Sequence, residues 1–255
     1  NRTAAAISHG IKSSVPSADG WNMLLNQVGL SLKNFPWPFQ VDSSRPINGK
    51  HEIDLTEQEK QAAIAEYMEE IDAVIPIDSR LRNEDGSLRS EIRISDVAAA
   101  RKFAPLADQI FSTHQLPVIF APTYEGATAY NSGTHIVIDA TKVDSSYTNK
   151  WWTRMSIRDR QLTEQDEYIE KLENIPREFA SVDEFMMFII SHEKAHSVVP
   201  PADAGITWIP GSGYKGSTGS LAYSQYEDIV SAIGLLEMDS FMFEQVRQKF
   251  KQRQK

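Results

Sequence analysis

Apolar and polar positions change their period several times along the chain, and each change marks an element. In DLTEQEKQAAIAEYMEEIDAVIP, Ala63, Ile64, Tyr67, Met68 and Ile71 recur at helical spacing, and Thr56 followed by Glu59 reads as a capping box. RISDVAAARKFAPLADQIFSTHQ predicts a second helix, capped near Ser95 or Asp96 and interrupted at Pro105. The texture then shortens. LPVIFAP, GATAYNS and THIVIDAT are β-branched and aromatic runs cut by Pro, Gly, Asn and Ser, which predicts a small antiparallel sheet over residues 116 to 141. Residues 1 to 50 show no sustained period and predict an irregular arm, while LTEQDEYIEKLENI reads as helical.

The densest apolar run leads into the most informative polar cluster, in FMMFIISHEKAHSVVPP. Ser181 to Glu184 is a capping box, and its acidic residues suit the positive end of a helix dipole. Val182, Phe185, Met186 and Ile189 form one stripe, Phe188 and Ile190 widen it, and Pro200 and Pro201 stop the helix. The charged residues at its end are therefore carried into or beside a core. DAGITWIPGSGYKGSTGS reads as a loop, followed by another helix in LAYSQYEDIVSAIGLLEMDSFMFEQV.

On a helix, residues four apart share a face, so His192 and His196 present their imidazoles to a common point and can chelate one zinc ion. Glu193 sits about 100° around the helix from His192, placed to accept a proton from an attacking water without being a ligand. This is the H-E-x-x-H arrangement of a zinc hydrolase, with Lys194 expected to point away from the metal. A catalytic site of this kind needs a third protein ligand. The pattern with Gly three and a ligand six residues after the second histidine fails, because those positions are Val199 and Ala202. Glu227, on the returning helix, is the favoured third ligand, with Asp228 and Asp203 as alternatives. Tyr223 and Tyr226 lie within a turn of Glu227, where a phenol could donate to an oxyanion. Tyr223 is the one assigned a catalytic role.

From AYNSGTHIVID through HEKAH to YEDIVSAIGLLE, residues 127 to 240, the chain resembles the zincin metallopeptidases of the gluzincin type. The resemblance implies an α+β zincin-like domain with a small antiparallel or mixed sheet, otherwise mostly helical. It implies that His192, His196 and Glu227 bind one Zn2+ per chain, with Glu193 as general base. It also implies that THIVIDAT is an edge strand along which a peptide or protein substrate lies, paired through its backbone. Relatives often carry Asp four residues after the third ligand, where this chain has Ser231.

The resulting organisation is an arm at 1–50, a helical part at 51–115, a zincin-like core at 116–246 and a basic tail at 247–255. The expected function is zinc-dependent peptide hydrolysis. The alternative is a component of a larger assembly that keeps the fold as scaffold, docking through the arm or the tail. Aromatics expected to be exposed, such as Trp37 and Trp151, would serve that second reading.

Composition narrows these expectations further. Among 255 residues there is no cysteine, so thiol nucleophiles and thiolate zinc sites are excluded and a metal must rest on His and carboxylates. The net charge of −9 argues against a nucleic-acid surface, although the C-terminal RQKFKQRQK places five basic residues in nine. No apolar stretch approaches the ~20 residues of a membrane span, and no signal core is visible, so a soluble chain with no membrane partner is expected. The initial Asn1 suggests a trimmed, processed or renumbered start. His9, His51, His114 and His135 have no partner at ligand spacing and read as surface or satisfied core histidines. Trp151 to Met155 reads as core cover, and Tyr214 with Lys215 as a solvated loop. GSGYKGSTG lacks the spacing of a phosphate-binding loop, and no Gly-x-Ser-x-Gly occurs.

Overall fold

A computed structural model describes residues 18–39, 47–76, 78–110, 115–124, 127–148, 179–204, 206–209, 213–216 and 223–253. The helical reading of 162–175, Trp151 to Met155, His9 and His114 lie outside these residues. The chain forms two compact units, one from Asn1–Pro36 with Ser146–Lys255 and the other from Trp37–Ser145. Among the described residues the architecture is α+β, helices with one three-stranded sheet and one two-stranded sheet. Among the described residues, no helix is long and apolar enough to cross a membrane.

In the unit spanning Trp37–Ser145, helix α2 (Glu57–Val74) opens on the expected capping box. The Thr56 side chain accepts from the Glu59 amide at 3.2 Å, and the Glu59 carboxylate accepts from the Thr56 amide at 2.9 Å. Ala63, Tyr67 and Ile71 are its buried face, whereas Met68 is exposed, so the stripe is narrower than the spacing predicts. Helix α3 (Ile94–Ala107) is capped by Arg93, whose amide donates to the Asp96 carboxylate at 2.9 Å. It runs through Pro105 instead of breaking there. The proline forfeits a hydrogen bond only in the last turn, and burial of Phe103, Leu106 and Ala107 around it holds that turn in place.

The sheet is mixed and ordered β1-β3-β2: β1 (Val118–Phe120) is parallel to β3 (Ile136–Ile138), and β2 (Ala129–Asn131) is antiparallel to it. The expected edge strand is thus the central one. Ile136, Val137 and Ile138 are fully buried, and an unbroken β-branched run is how a strand covered on both faces reads. A substrate backbone has no free edge there. The outer edge of β1 is also closed at Phe120, because the Tyr67 hydroxyl donates to the Phe120 carbonyl at 3.1 Å and accepts from its amide at 2.8 Å. Trp37 is buried, not exposed, which removes it as a docking aromatic. Helix α4 (Ala140–Thr148) follows the sheet. Its Lys142 ammonium donates to the carbonyls of Thr123, Tyr124 and Ala127 and pins the loop after β1.

His135 is a satisfied core histidine, as expected, while His51 is exposed. The His135 Nε2 lies 2.7 Å from Asp78 Oδ2, which also accepts from the Tyr130 hydroxyl at 3.1 Å. Burial works to raise the Asp78 pKa. Its bonds from His135, the Arg80 amide and Tyr130 overcome that and hold it below the usual carboxylate value. A folded-state pKa below the unfolded value near 3.9 stabilises the fold above that pH, and the contribution fades as pH falls through the folded value. Asp78→Asn is therefore expected to cost about 1–3 kcal/mol at pH 7 in urea unfolding, with the gap to wild type narrowing in acid. An equal gap at pH 7 and pH 3 would remove the carboxylate's charge as the cause.

In the other unit, helix α1 (Ala18–Asn26) buries Trp21 and Leu25, so the segment read as an irregular arm holds regular structure over these residues. Helix α5 (Val182–Val198) has Ser181 accepting from the Glu184 amide at 3.1 Å, while the Glu184 carboxylate accepts from Ala180, one residue before the cap. Phe179, Phe185 and Phe188 pack as an aromatic cluster on its first turns, with Phe179 and Phe188 centroids 4.9 Å apart. The loop expected after α5 contains a hairpin of β4 (Ile206–Ile209) and β5 (Gly213–Gly216). Helix α6 (Tyr223–Arg253) then runs 31 residues and takes in most of the basic tail.

Candidate metal centre

The site lies where α5 and α6 pack side by side. Contacts pair Tyr226 with His196 and Val199, and Gly234 with His192, so the helices run antiparallel. The approach is very close. A Cβ built on Gly234 would stand 2.8 Å from the His192 amide nitrogen and 3.0 Å from its Cα. Only glycine lets the backbones meet there, although glycine inside a helix costs about 1 kcal/mol against alanine. Gly234 belongs to no motif, and its signal in the sequence is a lone glycine in the apolar run SAIGLLE.

This proximity brings together side chains far apart in sequence. His192, Glu193 and His196 offer ligand atoms all within 4.8 Å of one another, a group that could hold a metal ion. Glu227 also reaches it, with Oε2 3.1 Å from His192 Nε2 and 3.8 Å from His196 Nε2. Glu193 is more distant, its Oε2 lying 3.9 Å from His196 Nε2. Of the two carboxylates, Glu227 is the better placed to share a cation with both imidazoles.

The other ring nitrogens are tied from behind. His192 Nδ1 lies 3.1 Å from Ser231 Oγ, so the serine four residues after Glu227 orients that ring. His196 Nδ1 lies 2.8 Å from the Tyr226 hydroxyl. Both Nε2 atoms are left facing the centre. Tyr223 is the first residue of α6 and Asp228 lies in its next turn, while Asp203 sits in the short helix Pro201–Ala204; their side chains lie outside the described residues. The same holds for the side chains of Tyr214 and Lys215, which belong to β5. Lys194, which helical spacing places opposite His192, is wholly buried.

Burial sets the electrostatics. It pushes the Glu193 carboxyl up to about 7, the Glu227 charge adding to the rise and His192 opposing it. Burial, aided by the His192 charge, pushes His196 down to about 4, so that ring is neutral near pH 7. At His192 burial also disfavours charge, but the hydrogen bond with Glu227 and the charges of Glu227 and Glu193 outweigh it, and its pKa is raised. A cation bound between His192 and Glu227 would compete with a proton on His192, so binding should weaken as pH falls.

Comparison of the chain with family models, with curated proteins and with solved structures returned no match.

Proposed function

We propose that this chain is a zinc-dependent peptidase of the zincin type, with His192, His196 and Glu227 as metal ligands and Glu193 as general base. The observation that carries the reading is convergence: two Nε2 atoms and one carboxylate oxygen meet at a point while both Nδ1 atoms are held by hydroxyls. Zinc with nitrogen and oxygen ligands near 2.0–2.1 Å in tetrahedral geometry sets ligand atoms about 3.3 Å apart. The separations of 3.1 and 3.8 Å bracket that value. The donor set of two imidazoles and a carboxylate leaves a fourth position for water or substrate.

Zinc, when bound, would supply a Lewis acid that acidifies water and polarises a scissile carbonyl. Glu193 takes the proton from the attacking water and passes it to the leaving amine. Its burial, which lifts the carboxyl to about 7, makes it a stronger base than an exposed glutamate, and a neighbouring cation draws it back towards the ionised form. His192 and His196 hold their rings by their rear nitrogens, so the ligand face needs little reorganisation.

The test is zinc content by elemental mass spectrometry, for wild type beside His196→Ala, at neutral pH after zinc is supplied to the folded protein. About one equivalent is expected in the wild type and a small fraction of that in the variant. A wild-type chain without zinc would sink the peptidase reading and leave the assembly scaffold ahead.

A further inference from the structure

We infer that Tyr226 is a positioning residue: its hydroxyl fixes which nitrogen of His196 carries the proton, and ties that choice to the end of α5. The inference rests on the metal reading above. Tyr226 is fully buried, and its one hydroxyl meets two groups, the Val199 carbonyl at 2.7 Å and His196 Nδ1 at 2.8 Å. Val199 closes α5, and a carbonyl at a helix C-terminus lies past the last intrahelical hydrogen bond. The phenol proton therefore goes to Val199.

The consequence passes to the histidine. A phenol oxygen whose proton is committed to Val199 can only accept from His196, so Nδ1 must carry the imidazole hydrogen. A neutral imidazole has a single N–H, and Nε2 is left with its lone pair, facing Glu227 at 3.8 Å. Tyr226 and Glu227 are neighbours on α6, so one helical turn sets both the front and the rear of the His196 ring. The same geometry removes Tyr226 as a donor to a reaction intermediate, because its proton is used behind the ligand.

Two readouts test this on the full chain. The first is the imidazole tautomer, from nitrogen-15 NMR of histidine-labelled, metal-free protein at neutral pH. His196 is expected as the Nδ1–H form in wild type and as a mixture of tautomers in Tyr226→Phe. The second is zinc affinity by chelator competition, expected to fall about 10–100-fold in Tyr226→Phe. A fold change without a tautomer change would assign Tyr226 to packing and overturn the inference, as would a wild-type His196 protonated at Nε2. If Tyr226→Phe does not fold, the wild-type tautomer decides alone. A wild-type chain that takes up no zinc, yet shows the tautomer change, overturns the metal reading and supports the clamp on His196.

Discussion

On the proposed function, replacing Glu193 with glutamine is expected to slow peptide hydrolysis by about 10²–10⁴-fold without loss of zinc binding. Glutamine fills the same volume but cannot accept a proton, so it removes the base and leaves the pocket. Retention of the metal follows from position, because Glu227 Oε2 lies within 3.1 and 3.8 Å of the two Nε2 atoms and Glu193 no nearer than 3.9 Å to His196. Glutamine also removes a buried carboxyl lifted to about 7, so the variant should fold at least as stably as the wild type. Rate on a peptide library and zinc content should be read from one preparation. Full activity would sink the base assignment. Loss of zinc together with activity would make Glu193 a ligand, the role its grouping with His192 and His196 also permits.

Gly234→Ala is expected to destabilise the fold by about 1–3 kcal/mol and to lower zinc retention as well. Two effects oppose each other. Alanine gains about 1 kcal/mol of helix propensity over glycine. Against this, the new methyl would sit 2.8 Å from a backbone nitrogen that no side-chain rotation can move, so α5 and α6 must part. Overpacking against backbone is the larger effect. The separation is transmitted to the site because Glu227 and Ser231 ride on α6, while His192 and His196 ride on α5. Thermal unfolding with a zinc titration reads both consequences. A melting temperature unchanged or raised would show that the interface has room, and the proposed role of Gly234 would fail.

The edge position that the resemblance implies for THIVIDAT does not hold in the fold. As an implied edge strand it would take substrate, yet Ile136, Val137 and Ile138 are paired on both sides and fully buried. An edge strand exposed to solvent would carry polar residues in alternation, and this run does not. Trp37 is buried against the expectation of exposure for a related reason. Flanking prolines in a stretch without sustained period suggest an irregular segment, but burial of an aromatic depends on what folds over it, which local sequence does not contain. Glycine, proline and serine make the segment around β4 and β5 read as loop, while backbone pairing between Ile206–Ile209 and Gly213–Gly216 needs no particular side chains.

By itself the sequence determined what depends on neighbours along the chain. Helical periodicity put His192, Glu193 and His196 on one helix with fixed angular offsets, the caps at Thr56 and Ser181 set where two helices begin, and the absence of cysteine limited the donors to imidazole and carboxylate. Tertiary structure decided what depends on distance across the fold. It brought Glu227, thirty-one residues beyond His196, to 3.1 Å from His192, put Ser231 and Tyr226 behind the two rings, and made Gly234 the point of helix contact. The reason is physical: helix geometry repeats every few residues and is written locally, whereas the crossing of two helices is set by the side chains, or the lack of one, at their closest approach.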